Sequence, residues 1–339
     1  MSRWFRSQQI AVGDRVVVRR TLPDTPGHLS DVVGHVLHLD PLTVRPQKVG
    51  GLPSQAPAVE IPAAQIKVVR KLSPRRVLNS DIRAIEYATA AAFPGLEHRW
   101  SEDGQWLLRA GDGITERSNS ATPLGASAGL GAVPLEEIAA FYAAHHMPVR
   151  LHIPERIGRP AEALCTGPQW ERGPEILVMT RDIPSVEDSQ GVDSPVPGFS
   201  FRVDDRPDDA WLAMYHFRGT PLPPRALRLL SATIEGTLGF GRLLDTAGRT
   251  VAVTRGTITS SPDGRTWLGY SAVEVAPAYR RRGLATWLGR EMLRWGAAQG
   301  AKQAYLQVLE SNDAGVGLYA SQGFIEHHRH RYARYRLSS

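Results

Sequence analysis

The chain has 339 residues, 42% of them apolar, which suffices for two or three domains that each bury a core. Its formal charge is +6, and apart from Lys48, Lys67, Lys71 and Lys302 the Lys-plus-Arg set is all arginine, a balance that suits anionic ligands such as nucleotides, nucleic acid or phosphorylated cofactors. Cys165 stands alone, which excludes an intramolecular disulfide. With no signal-like N-terminus and no run of about 18 apolar residues, the expected setting is cytoplasmic and away from the membrane.

From about Gln9 to Leu72, short β-like runs (Arg15–Arg19, Val32–Leu37, Ile66–Val69) alternate with Pro, Gly and Asp-Pro turn signals, the pattern of a small antiparallel barrel. Its basic residues (Arg15, Arg19, Arg20, Lys67, Arg70, Lys71) are candidates for nucleic acid, but aromatic residues are scarce among them, so protein contact or solubility is the preferred reading. From Ser73 to Ser189 the spacing predicts a helix over Asp81–Ala92 and a hairpin of Trp106–Arg109 with Ile114–Ala121. A second helix over Pro134–His146 and strands at Val149–Ile153 and Ile176–Thr180 follow. The run Gln190–Gly198 reads as a linker. The expected domains are therefore 1–72, 73–190 and 195–339.

Beyond the linker, helices over Asp208–Phe217 and Pro224–Glu235 precede three strands, Leu238–Asp245, Arg249–Thr259 and Thr266–Val275, an α+β order. The third strand runs into Pro277-Ala-Tyr-Arg-Arg-Arg-Gly283 and then directly into a helix. Leu284, Leu288, Met292 and Trp295 share one face of that helix, and Gly300 ends it. Free N–H groups and partial positive charge at such a helix start suit a pyrophosphate, and Gly283 allows its oxygens to approach closely. After a strand at Ala304–Leu309, Asn312 is placed to cap a helix over Asp313–Ser321, with Tyr319 two turns along on the same side. Gly323-Phe324 begins a further strand, followed by another at Tyr332–Leu337.

The stretch Arg280-Arg-Arg-Gly283-Leu-Ala285 resembles the acyl-CoA motif of the GNAT superfamily, Gln/Arg-x-x-Gly-x-Gly/Ala, and Ser311-Asn312 through Gly323-Phe324 resembles its second signature. The resemblance implies a GNAT fold, a mixed and mostly antiparallel sheet with helices on both faces, and an acetyl-CoA-dependent N-acetyltransferase. Arg280, Arg281, Arg282, Gly283, Leu284, Ala285 and Thr286 would hold the pyrophosphate and Asn312 the cofactor. The backbone of Val273 and Val275 would hold the oxyanion, and the Tyr319 hydroxyl would face the thioester sulfur. The first sixty residues resemble the Src-homology-3-like barrels that precede the acyltransferase in some actinobacterial proteins, and Trp106–Gly125 resembles the degenerate first lobe of two-lobed acyltransferases.

The acceptor amine is left open among a small amine, an amino acid and a protein lysine. Relatives that act on protein N-termini carry a Glu where this chain has Gln307, so the base is unassigned among Glu274, Glu235 and His216. Trp211, Tyr215 and His216 are candidates for the acceptor side. No metal is expected: His327-His328-Arg329-His330 reads as a solvated basic strand. The other class of answer is a protein that senses acyl-CoA without catalysis, its barrel docking a partner or nucleic acid.

Overall fold

In the computed structural model, residues 10–22, 27–48, 51, 53–72, 77–183, 196–217, 220–221, 223–231 and 234–336 are described, and they form two compact units, Met1–Leu78 and Asn79–Ser339. Residues 190–195 of the expected linker lie outside the described residues, as does Leu337.

The first unit is a five-stranded antiparallel sheet. Strand β1 (Arg15–Thr21) lies between β2 (Leu29–Leu39) and β5 (Ile66–Lys71), while β3 (Leu42–Pro46) joins β2 to β4 (Val59–Ile61). Alternation turns Val16, Val18, Val36, Val44 and Ile61 inward, each at most 1% exposed. Two of the basic side chains are spent on ion pairs, Arg19 with Asp31 at 2.8 Å and Lys71 with Asp14 at 2.9 Å.

The second unit is built on one nine-stranded sheet. Its strands are β9 (Arg150–Pro154), β10 (Trp170–Arg172), β11 (Ile176–Asp182), β12 (Phe199–Asp204), β15 (Thr237–Asp245), β16 (Thr250–Ser260), β17 (Thr266–Val275), β18 (Gln303–Leu309) and β19 (Ile325–Tyr335). Their order is β10-β19-β11-β18-β17-β16-β15-β12, with β9 also on β19. All of these neighbours are antiparallel except β17 and β18, which run parallel. The split expected at 190–195 does not divide this sheet, because β11, which precedes it, lies between β18 and β19, which follow it. Where two terminal strands were expected, one eleven-residue strand, β19, runs through.

Helix α1 (Asn79–Ala92) covers one face through Ala84, Ile85 and Ala88 against Val178, Trp267 and Tyr305. Helix α6 (Leu284–Ala298) covers the other: Leu284, Leu288 and Met292 are at most 1% exposed and Trp295 is partly buried, as the spacing predicts. Each such side chain contributes about 1.5–3 kcal/mol. The short helices α2 (Leu135–Ala144) and α3 (Arg159–Leu164) pack residues into a separate core with Trp106, Leu151 and Trp170.

The expected hairpin of Trp106–Arg109 with Ile114–Ala121 does not form. Strand β7 (Trp106–Ala110) pairs instead with β6 (Glu97–Trp100) and β8 (Thr122–Pro123). Residues 111–119 become a loop because side chains take over its backbone bonds: Asn119 Oδ1 accepts from the N–H of Gly111 and Gly113, and Asp112 Oδ1 accepts from Ile114 and from Asn119 Nδ2. The two helices expected after the linker shorten to α4 (Asp209–Met214) and α5 (Pro224–Leu230), and the pair β13 (His216–Phe217) and β14 (Thr220–Pro221) lies between them.

Candidate active site

Strands β17 and β18 are hydrogen-bonded only from Trp267↔Gln303 to Tyr270↔Leu306. Past that point they part, and the cause lies on β17. Its pairing with β16 slips between Val253 and Arg255, so that Ala272 and Val273 together face Thr254, and Ala272 takes a left-handed φ of 55°. Such a bulge bends its strand away from its neighbour. On the β18 side, residues 271–275 have no partner strand among the described residues, and a cavity of about 260 Å³ opens in the gap.

Tyr270, Ser271, Ala272 and Val273 form one wall of the cavity and Gln307, Val308 and Leu309 the other. Asn312 and Tyr319 come from α7 (Asp313–Ser321) and its cap. The Asn312 side chain accepts from Gly315 N at 3.0 Å, the expected capping bond. Tyr319 packs edge-on against Tyr270, ring centres 6.1 Å apart, and burial pushes its phenol up to about 12.

The remaining wall combines Tyr215 and His216, expected on the acceptor side, with Phe93 and Thr115–Ser118, which sequence reasoning placed elsewhere or passed over. Phe93 follows α1, Thr115–Ser118 sit on the loop that Asn119 pins, and Tyr215 and His216 follow α4. The Asp/Gly/Asn-rich run around Asp112 was the available signal, since such residues favour loops over hairpin ladders. Trp211 does not line the cavity: it is 0% exposed, donates to Gly241 O and belongs to the core.

Of the three candidate bases, only His216 stands in the cavity wall. Its Nδ1 lies 3.0 Å from Met214 O, and a carbonyl can only accept, so Nδ1 carries a proton and the neutral ring presents its lone pair at Nε2. Glu274 is held by Arg280 at 3.0 Å, and Glu235 is exposed elsewhere.

Beside the gap, β17 leads through a short turn at Pro277–Tyr279 to the start of α6. Arg280, Arg281, Arg282 and Gly283 are exposed, and Gly283 caps the helix at φ 77° with no side chain bonded to its first turn. The N–H groups of Leu284, Ala285 and Thr286 therefore have no intrahelical acceptor. Arg281 also adopts a left-handed φ, 62°, which costs a non-glycine residue about 1–2 kcal/mol. Arg280 is braced by Val275 O and Glu274, and Arg282 rests over Phe199 and Tyr279.

The histidine run is not solvated. His328 and His330 are 1% and 2% exposed, on the sheet face under α1. His328 Nε2 lies 2.9 Å from Glu86 Oε1, and His152 Nε2 lies 2.8 Å from His330 Nδ1. Ligand atoms of Glu86, His152 and His330 fall within 4.8 Å of one another, close enough to share a metal ion. The same atoms already serve one another, and the buried Arg109 guanidinium supplies positive charge beside Glu86. Among the described residues, Glu86 Oε2, His152 Nδ1 and His330 Nε2 are buried without a hydrogen-bond partner, so these bonds satisfy the cluster only in part.

The splayed parallel pair and the helix opening beside it define the class: this unit has the fold of the GNAT acyltransferases, and the protein is an enzyme of that kind. More narrowly, it belongs to the family whose model, described as "Probable histone acetyltransferase Rv0428c C-terminal", matches residues 79–333. The model described as "Rv0428c N-terminal Sm-like domain" matches residues 10–70, which names the expected small barrel as Sm-like. One relative, "Probable histone acetyltransferase Rv0428c" of Mycobacterium tuberculosis, is 38% identical over 95% of this chain and 94% of its own. Another, "Uncharacterized N-acetyltransferase YobR" of Bacillus subtilis, is 28% identical over 75% of this chain and 99% of its own. Among solved structures, a GCN5-related N-acetyltransferase from Kribbella flavida superposes with a TM-score of 0.55 at 15% identity, covering 75% of this chain and 95% of that one. A tandem GNAT protein from the clavulanic acid biosynthesis pathway gives 0.50 at 14% identity, covering 75% and 89%. At these identities the two structures speak for the fold.

Proposed function

We propose that the enzyme moves an acetyl group from acetyl-CoA directly to a primary amine. The observation that carries this reading is the unpartnered β17 edge facing Tyr319 across the cavity, next to a helix start with free N–H groups. The N–H groups of residues 283–286, with the Arg280–Arg282 side chains, would take the pyrophosphate, each charge-assisted bond contributing about 1.5–3 kcal/mol. Asn312 would hold the pantetheine side of the gap, and the backbone N–H groups of Val273 and Val275 would polarise the thioester carbonyl.

In this reaction the amine nitrogen bonds to the acetyl carbon and the carbon–sulfur bond breaks. The ammonium proton passes to His216 Nε2, and the Tyr319 hydroxyl donates to the departing sulfur. With Tyr319 at about 12 and a thiol near 8.5, outright proton transfer is uphill by roughly 3.5 units, about 5 kcal/mol. Tyr319 therefore acts as a hydrogen-bond donor and the thiolate leaves as such. No metal takes part in this scheme, and we place the enzyme in the cytoplasm. The test is CoA thiol release from acetyl-CoA across an amine panel. Binding of acetyl-CoA without thiol release from any amine would favour a sensing protein.

A further inference from the structure

We propose that the acceptor carries an anionic group, carboxylate or phosphate, near its amine, and that Arg117 binds that group. The inference rests on the acyl-transfer reading and adds its substrate class.

Arg117 lines the main cavity and also a void of about 10 Å³, room for about one water, that shares Phe93, Tyr270, Ser271 and Gln307 with it. Its guanidinium stacks on Phe93, 4.9 Å from the ring centre. Among the described residues no carboxylate reaches ion-pair distance of it, and it donates no hydrogen bond. Five N–H donors stand in a cavity wall with no protein acceptor.

A second cation stands near. Arg255, 1% exposed, lies 4.6 Å from the centre of the same ring. It donates to the Leu230 and Ala92 carbonyls and leaves Nη1 without a partner. The anions in range are few. Glu116 shares the cavity wall but is within coulombic reach of Arg150, Asp112 acts on Tyr215 alongside both arginines while its Oδ1 is bonded within its loop, and Glu86 is bonded to His328. One ring thus carries two guanidiniums, and the Arg117 fork lacks a carboxylate at ion-pair distance among the described residues.

An acceptor bearing an anion would supply it. Arginine is suited to the task, since its planar fork pairs two N–H groups with two oxygens of a carboxylate or phosphate. Phe93 fixes the plane of the fork, so little freedom remains to be lost on binding. A polycationic protein tail is disfavoured by the same charge, and by the basic balance of the whole chain. The volume of about 260 Å³ also favours a compact molecule.

The test compares matched amines: β-alanine against its amide, and phosphoethanolamine against ethanolamine, which separates carboxylate from phosphate. We expect wild type to favour the anionic member of at least one pair by about 10–100-fold in kcat/KM, mostly through KM. Arg117→Met should bring that ratio near one with acetyl-CoA KM unchanged, and Arg117→Lys should restore part of it. Calorimetry of phosphoethanolamine and β-alanine with CoA-saturated protein reads the same site without turnover. Equal rates within both pairs, preference for a lysine-rich peptide, or binding unaffected by Arg117→Met would overturn the inference while leaving acyl transfer intact. Failure of wild type to bind acetyl-CoA would instead sink the underlying reading.

Discussion

The spacing from Asn312 put Tyr319 on the same side of α7, the GNAT resemblance implied its place beside the thioester, and its neighbours give it its chemistry. Packed against Tyr270 and Phe324, its phenol is held at about 12. Tyr319→Phe should lower kcat about 100-fold and leave acetyl-CoA affinity nearly unchanged. Because the raised phenol keeps its proton until about pH 12, activity should show no alkaline fall from Tyr319 between about pH 8 and 10. An alkaline limb near pH 10 that disappears in Tyr319→Phe would contradict this. Gly283→Val places a β-branched residue at φ 77°, where no described protein atom lies within 4 Å but the backbone is strained, so it should weaken both the ligand's hold and the fold. Calorimetry should show at least about 10-fold weaker CoA binding, with the fold destabilised by about 1–2 kcal/mol from the backbone strain.

At the level of elements, legibility followed from where each one finds its partners. Helix α6 was readable because its stripe and its glycines are local signals. The loop at 111–119 was not, because whether Asp112 and Asn119 bond to their own backbone or leave a ladder intact is decided by packing around a fully buried Asn119. His328 looked solvated because its acceptor, Glu86, lies 242 residues away in the chain. The bulge at Ala272 left no mark at all, since alanine is not the residue expected at φ 55°. Ala272→Gly should relieve that backbone cost and raise stability by about 0.5–1 kcal/mol in urea unfolding. A loss of stability there would mean the bulge is not strained.

For the molecule as a whole, the buried imidazoles set a pH limit. Burial pushes His328 down to about 3 and His330 to about 4, whereas an unfolded imidazole titrates near 6.5. Below about pH 6.5 the unfolded chain takes up protons that the native state refuses, so stability held above that pH is lost as pH falls toward 4. Glu86, raised by burial, has the opposite sign: its contribution is present below its ordinary 4.5 and lost as pH rises. Between pH 6.5 and 5 the histidines should dominate, and the urea midpoint should drop steadily across that interval; a flat midpoint would show them to be protonated in the fold.

The position of β11 has a further consequence. Since it lies between β18 and β19, a polypeptide starting at 196 would have to bring those two strands together across a vacant lane. Two separately produced pieces, 79–183 and 196–339, would each present the complement of the other, and mixing them should rebuild thiol-releasing activity from inert halves.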